Sequence, residues 1–239
     1  MTDLPVAQVS FRLGGVLAKS LRVVGRHPVA FLAVNLLASL PFLVIMAATG
    51  DVPEQSNVLD LLAAPISFVL VCLAQAMTIQ GTWRTLHGEP FLTRDALSSA
   101  LPRLLPTIGA SVLSVVLILT GFAALFIPGL IAICFLYVTL PACALERKGV
   151  VESMERSGEL TKGYRWTILV VFALTNIPAL VASAGLGDLR TPSPILDACD
   201  EAVSLLYLAF NAVLSAVCFA DLRRIKDSDV STNVAPIFD

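Results

Sequence analysis

Residues 148–166, KGVVESMERSGELTKGYRW, form a charged stretch between two long apolar ones. On its N-terminal side, residues 104–145 carry no charged side chain, and on its C-terminal side residues 167–187 carry none either. Uncharged runs of this length are typical of helices that cross a membrane, whereas a surface helix of a soluble protein has a charged face. The charged stretch therefore connects membrane spans, and it helps to fix how the chain is threaded.

The composition of the whole chain indicates the same class of protein. Of the 239 residues, 56% are hydrophobic and 14% are charged, and the mean hydropathy is +0.84. Soluble domains carry about 25% charged residues. A formal net charge of -2 and scattered Lys and Arg give no reason to expect nucleic acid as a partner. The sequence predicts an all-α integral membrane helical bundle, with membrane lipids as partners.

Six segments reach the roughly 20 apolar residues that a membrane span requires. The predicted spans are residues 28–48, 61–83, 104–126, 128–145, 166–187 and 202–220. A signal peptide is the competing interpretation of the first span, but the segment before it and the apolar run itself are both too long for one. The predicted organisation is an N-terminal segment 1–27, a six-span domain 28–226 and a polar tail 227–239, which is expected to be disordered.

Basic residues decide the predicted orientation, because Lys and Arg beside spans are retained in the cytoplasm. All Lys and Arg except Arg190 lie in four segments that six spans would place on one side: 12–26, 84–103, 147–165 and 223–226. Arg190 and several acidic residues, including Asp51 and Glu54, would lie on the other side. We therefore expect a protein of the bacterial inner membrane with both termini in the cytoplasm.

Three cytoplasmic segments that precede a span have the pattern of amphipathic helices. In the stretch quoted above, apolar residues recur every three or four positions, and this predicts a helix with an i,i+4 pair between Glu152 and Arg156. Gly163 suits the position just past the helix end. Residues 12–26 and 91–105 have a similar pattern. One amphipathic helix followed by a two-span hairpin would thus occur three times.

The first amphipathic helix has two possible partners for its apolar face. It could lie flat on the membrane, or it could pack on the protein's own spans; the sequence favours neither. In the first arrangement its cations would contact lipid headgroups. These candidate headgroup contacts are Arg12, Lys19, Arg22 and Arg26.

Chemistry-bearing groups are sparse, and neither a catalytic residue, nor a cofactor, nor a metal site is predicted. The five cysteines show no CxxC or Cys/His spacing, and the predicted spans contain no Asp, Glu, Lys or Arg. Amides and prolines within the spans are expected to serve helix packing. Glu146, which follows the fourth span beside Arg147 and Lys148, is expected to form a structural ion pair.

Part of the chain resembles a known family. The residues that carry the resemblance are Ile127-Pro128-Gly129-Leu130, Leu140-Pro141, Ala144-Leu-Glu-Arg-Lys-Gly149, Glu152, Arg156-Ser157 and Leu160-Thr-Lys-Gly163. They resemble the membrane-domain family related to glycerophosphoryl diester phosphodiesterases, together with similar bacterial membrane proteins. The resemblance implies a membrane module without the separate soluble domain that holds the phosphodiesterase site. The structural motif positions are Pro128, Gly129, Pro141, Glu146, Gly149, Ser157, Thr161 and Gly163.

Two functions from different classes stay open on these grounds. The first is a non-enzymatic membrane module or scaffold that interacts with lipids or with a partner protein in the membrane. The alternative is a transporter or flippase for a lipid-like or apolar substrate, with cavities at proline kinks of the spans. An enzyme is the least favoured class, because no set of residues matches a catalytic site.

Overall fold

The computed structural model describes residues 13–49, 57–187 and 194–234, with the side chains of residues 13–36, 39–40, 64–181 and 202–227. Regular structure in these ranges is entirely helical, and they contain no strand, so the all-α prediction is confirmed. The helices are α1 Leu13–Arg26, α2 Pro28–Thr49, α3 Asn57–Leu86, α4 Thr93–Ala100, α5 Leu104–Ala124, α6 Phe126–Leu136, α7 Thr139–Leu145, α8 Val150–Thr161, α9 Arg165–Gly187 and α10 Pro194–Val234. Arg12, Asp51, Glu54 and Arg190 lie outside the described residues.

Several helices are long and apolar enough to cross a membrane. Within the described residues these are Ala64–Leu86, Thr93–Ala124, Phe126–Leu145 and Ala202–Asp227. A fifth is obtained if Val150–Thr161 and Arg165–Val181, which are bent by 102° relative to each other, are taken as one span. The first expected span, residues 28–48, coincides with α2, whose side chains beyond residue 40 lie outside the described part. The helices are compatible with a membrane protein.

Helix α5 shows most clearly that the bundle needs apolar surroundings. Only 11% of the apolar 18-residue segment of Thr93–Ala124 is buried inside the bundle. The corresponding segment of Ala202–Asp227 is 50% buried. Val112, Leu119 and Phe122 are among the large apolar side chains that α5 leaves exposed. A monomeric soluble protein rarely exposes such a continuous apolar surface. Lipid or another apolar partner must therefore cover this helix.

The core of the bundle is built around the second half of α10. Val213, Leu214, Val217 and Leu222 are fully buried there. Helix α10 contacts α1, α2, α3, α7 and α8. Helix α10 continues through residues 227–234, where the sequence analysis expected a disordered tail. An i,i+4 ion pair between Arg223 and Asp227, 3.4 Å apart, favours the additional helical turn.

The α5–α6 hairpin turns slightly earlier in the chain than the sequence suggested. The two helices are separated by Leu125, which is extended, and Pro128 and Gly129 lie in the first turn of α6 rather than in the connection. Proline is tolerated in a first helical turn because its missing N–H has no partner there. Gly129 permits close contact with α5, since a Cβ on Gly129 would come within 2.5 Å of the Phe122 ring.

The fourth expected span is interrupted at Tyr137 and Val138, between α6 and α7. The cause is Pro141, which has no N–H to donate and whose ring displaces the carbonyl of Tyr137 one turn earlier. The break frees the Phe135 carbonyl, and the Ser157 hydroxyl donates to it at 2.6 Å. A motif residue of α8 thus compensates for the interruption that a motif proline causes.

Candidate functional site at the charged end of the bundle

One end of the bundle gathers residues that are far apart in the sequence. Lys19 Nζ of α1 lies 2.7 Å from the Asp221 carboxylate of α10, and Gln80 Nε2 of α3 donates to the Ala144 carbonyl of α7 at 2.8 Å. The Arg223 guanidinium lies over the Trp83 ring, 5.7 Å from its centroid. These contacts bring the C-terminal ends of α3 and α7 beside residues 219–227 of α10. We call this region the charged end.

A cavity of about 390 Å³ opens at the charged end, and we call it the end pocket. Its lining residues come from α1, from the end of α3 and from α10. They are Lys19, Trp83, Leu86, His87, Ala220, Asp221, Arg223, Arg224 and Asp227. The lining therefore combines an aromatic wall with three cations and two carboxylates.

The carboxylates of the end pocket are already neutralised by cations of the protein. Lys19 Nζ lies 2.7 Å and 2.8 Å from the two oxygens of Asp221. Asp227 lies 3.4 Å from Arg156 and 3.4 Å from Arg223. Arg224, by contrast, is exposed and has no acidic partner among the described residues. An entering ligand would thus meet one uncompensated positive charge.

His87 and Trp83 form the aromatic wall of the end pocket. Their ring centroids are 4.5 Å apart, and His87 Nδ1 lies 2.8 Å from the Trp83 carbonyl oxygen. Because a carbonyl can only accept, Nδ1 carries the hydrogen in this contact. Nε2 of His87 is therefore the ring nitrogen left for a ligand or for solvent. The wall presents a flat apolar surface with one polar edge.

Glu146 lies at the centre of an ion-pair network beside the end pocket. Its side chain is only 8% exposed, and its carboxylate lies 3.3 Å from Arg156, 3.4 Å from Lys148 and 3.7 Å from Arg223. The network joins the α7–α8 connection to α8 and α10. A structural ion pair was expected at Glu146; its most distant partner along the chain, Arg223, was not.

The charge of Arg156 is secured by its acidic neighbours. Burial lowers the pKa of the Arg156 guanidinium, but the negative charges of Glu146, Asp227 and Glu159 raise it by more, so the pKa lies above its ordinary value. The expected pair with Glu152 is replaced by these contacts. The Glu152 carboxylate instead accepts the backbone N–H of Gly149 at 3.2 Å, at the start of α8. A glutamate in the first helical turn suits this capping role.

The connection between α7 and α8 contains a strained residue. Arg147 has a φ of 56°, in the left-handed region that L-residues with a Cβ occupy at a cost of about 1 to 2 kcal/mol. We expect Arg147→Gly to unfold with a free energy about 1 kcal/mol higher than Arg147→Ala, measured by denaturant titration in detergent. Both variants lose the same exposed charge, so the comparison isolates the backbone. Equal stabilities would show that residue 147 carries no strain.

Helix α8 is packed into the bundle through its small and apolar residues. Ser153, Ser157, Leu160 and Thr161 are each fully buried, and Met154 is 7% exposed. A Cβ added to Gly158 would come within 2.0 Å of the Phe135 ring, so only glycine allows the observed approach of α8 to α6. Past the end of α8, Gly163 has a φ of +95° and turns the chain into α9.

The candidate headgroup cations of α1 differ in their surroundings. The apolar face of α1 packs on α10, with Val16 1% and Val23 5% exposed, which is the second of the two arrangements considered for this helix. Lys19 is paired with Asp221 and lines the end pocket. Arg22 and Arg26 are exposed on the other face of α1.

Sequence patterns did not identify most of the end pocket. Trp83 appeared only as the last residue of the expected span 61–83, and Arg223 only as the first residue of the basic segment 223–226. Nothing local in the sequence connects residue 83 with residue 223. The described residues contain no group of three or more His, Cys, Asp and Glu side chains that could hold a metal ion. Comparisons of the chain with protein-family models, with curated proteins and with solved structures find no match.

Proposed function

We propose that the chain is a non-enzymatic, six-span membrane module that binds the anionic headgroups of lipids at its charged end, with this end and both termini in the cytoplasm. The observation that carries the proposal is the end pocket, where Arg224 has no acidic partner in the described part of the chain while Asp221 and Asp227 are neutralised. Charge-assisted contacts to a phosphate suit the planar guanidinium of arginine.

The surroundings of the end pocket support a lipid as the source of that anion. The charged end lies at one end of a bundle whose α5 surface needs apolar cover. In a membrane, the end pocket would therefore lie where the polar headgroups meet the spans. Arg22 and Arg26 add exposed cations of α1 at this end. Each cation near an anionic membrane surface contributes about 1 kcal/mol of attraction. The amphipathic helices would then pack on the spans through their apolar faces and attract lipid headgroups through their exposed cations.

A fluorescence titration tests the proposed headgroup site, because Trp83 lines the end pocket and the chain has only one other tryptophan, Trp166. In a Trp166→Phe protein in phosphatidylcholine nanodiscs, short-chain phosphatidylglycerol should change the Trp83 emission saturably. Adding Arg224→Gln should raise the apparent Kd roughly fivefold to tenfold, which corresponds to about 1 to 1.4 kcal/mol.

The control for this titration is Arg94→Gln, which removes an exposed cation of α4 outside the end pocket. It should change the apparent Kd by less than about twofold, as expected for a screened surface charge. If Arg94→Gln and Arg224→Gln weakened lipid binding equally, the binding would be a non-specific electrostatic attraction and not a property of the end pocket. An unchanged Trp83 emission in the parent protein would refute the headgroup site.

The interruption of α6–α7 favours a transporter or flippase as a second candidate. Beside this break the Tyr137 hydroxyl and the Thr139 Oγ1 are buried without a hydrogen-bond partner among the described residues, and Asn35 Oδ1 of α2 is in the same condition. Interrupted helices with unpaired polar groups occur at substrate sites of transporters. Proteoliposomes should then scramble a fluorescent phospholipid faster than protein-free vesicles, and equal rates would exclude this candidate.

A further inference from the structure

Asp227 of the end pocket bridges two arginines that come from different helices. Its Oδ1 lies 3.4 Å from Arg156 Nη2 of α8, and its Oδ2 lies 3.4 Å from Arg223 Nε of α10. Arg223 and Asp227 both line the end pocket. Two guanidiniums that share one carboxylate can bind two oxygens of one phosphate in the same way. Asp227 therefore occupies a position that suits the phosphate of a ligand.

The two carboxylates of the end pocket differ in how firmly they are held. Asp221 lies 2.7 Å and 2.8 Å from Lys19 Nζ, and its side chain is 19% exposed. The contacts of Asp227 are longer, at 3.4 Å, and its side chain is 57% exposed. Strong charge-assisted hydrogen bonds are about 2.7 to 2.9 Å long, and exposed ion pairs contribute little to stability. Asp227 is thus the carboxylate that can leave the end pocket at a small cost.

Glu146 keeps a negative charge beside both arginines when Asp227 leaves. The Glu146 side chain is 8% exposed, and its carboxylate lies 3.3 Å from Arg156 and 3.7 Å from Arg223. Neither guanidinium would therefore lose its last counter-ion, which is the costly event in a partly buried network. Asp227 also lies near the C-terminal end of α10, which ends at Val234, and helix ends open at a lower free-energy cost than core helices.

We infer that Asp227 is an internal anion of the end pocket, which an anionic lipid headgroup displaces when it binds. The inference rests on the proposed function, because the headgroup is the ligand that competes with Asp227. The phosphate replaces the carboxylate on Arg223 and Arg156, and Arg224, which has no acidic partner among the described residues, adds a further positive charge. An internal competitor lowers the apparent affinity for an external ligand by the fraction of molecules in which it occupies the site.

Replacing Asp227 by asparagine should therefore tighten the binding of short-chain phosphatidylglycerol. In the Trp166→Phe protein in phosphatidylcholine nanodiscs, the apparent Kd measured by the Trp83 emission should fall about threefold to fivefold, as expected for the loss of a competing exposed ion pair. Glu159→Gln is the matched control, because Glu159 also pairs with Arg156, at 3.6 Å, and is 70% exposed, but does not line the end pocket. It should change the apparent Kd by less than about twofold.

The displacement of Asp227 also predicts a change in the helix that carries it. The ion pair between Arg223 and Asp227 favours the helical turn that they share, so a headgroup that breaks this pair should loosen residues 227–234 of α10. Saturating phosphatidylglycerol should therefore speed amide hydrogen exchange in this segment of the Trp166→Phe protein by about twofold. In Asp227→Asn the segment should exchange faster without lipid, and lipid should not change its rate further.

The outcomes separate this inference from the proposed function. If the Trp166→Phe protein binds the lipid, and Asp227→Asn tightens binding no more than Glu159→Gln does, the inference is overturned while the headgroup site stands. Unchanged exchange of residues 227–234 on lipid binding would overturn the inference as well. A response of Trp83 in Asp227→Asn alone would mean that Asp227 blocks the site completely, so the inference would stand and lipid binding without the substitution would be refuted. No response in either protein would overturn both.

Discussion

Replacing Gly158 by valine should lower the free energy of unfolding by about 3 kcal/mol. A Cβ at this position would come within 2.0 Å of Phe135 Cε2 and within 2.3 Å of its Cζ, so the ring or the whole of α8 must shift. Overpacking of this kind costs about 1 to 3 kcal/mol, and displacing α8 would also weaken the 2.6 Å bond from Ser157 to the Phe135 carbonyl. Reversible unfolding in detergent, followed by circular dichroism, measures the loss.

The matched control for Gly158 is Gly14, a glycine of α1 with no heavy atom within 4 Å of its Cβ position. Gly14→Val should change the free energy of unfolding by less than about 0.5 kcal/mol, since only helix propensity differs. Phe135→Ala in the Gly158→Val protein should restore part of the loss, giving a favourable coupling energy in a double-mutant cycle. Equal effects at positions 14 and 158 would contradict the close packing of α8 on α6.

The periodicity of residues 148–166 predicted helix α8 and its turn at Gly163, but not its partner. Three- and four-residue spacing identifies an apolar face, and it says nothing about which surface covers that face. The cover comes from α5, α6, α7 and α10, and α6 contributes both the Phe135 ring and the Phe135 carbonyl that accepts from Ser157. Membrane surface and protein interior are equally apolar, so the sequence pattern is the same for a helix lying on lipid and for one packed into the bundle.

The three amphipathic helices that were expected to precede spans are also joined to the following helices with different geometries. Helix α8 is bent by 102° from α9, while α4 is joined to α5 by the 3-10 turn Leu101–Arg103. The N–H of Phe31 donates to the His27 carbonyl at 3.2 Å, so hydrogen bonding runs on from α1 into α2. The bend at α8 depends on Gly163, and neither of the other entries has a glycine in the left-handed conformation. The charge pattern common to the three entries thus does not determine a common shape.

Charge counting predicted that four basic segments share one side of the membrane, but it could not predict the end pocket. The cations near spans two, four and six were assigned to one side, and the contacts of Lys19, Gln80 and Arg223 bring these helix ends together. Which cations remain unpaired depends on distances between side chains of different helices. The spacing of residues along the sequence does not predict these distances. Asp221 and Arg224 differ by three positions in one helix, yet the first is paired with Lys19 and the second has no acidic partner in the described residues.

Replacing Glu146 by glutamine should lower the free energy of unfolding by about 2 kcal/mol. The Glu146 side chain is 8% exposed and its carboxylate pairs with Arg156, Lys148 and Arg223, so its neutralisation leaves three cations near one another without their common anion. Removing one partner of a fully buried pair costs about 3 to 5 kcal/mol, and the partial exposure of Arg156 and Arg223 reduces that value. Glu159→Gln is the control, because Glu159 is 70% exposed and its loss should cost less than about 0.5 kcal/mol.

Arg223 makes the Glu146 prediction a test of function as well as of stability. This guanidinium lines the end pocket and lies 3.7 Å from Glu146, so the neutral glutamine increases the positive charge that an entering anion meets. Glu146→Gln should therefore bind short-chain phosphatidylglycerol more tightly, by roughly twofold to fivefold, while unfolding more easily. A variant that was only destabilised would show weaker lipid binding as well as a lower free energy of unfolding. Binding is measured by the Trp83 emission of the folded protein. Weaker binding by Glu146→Gln would contradict the expectation that Glu146 affects the end pocket through Arg223.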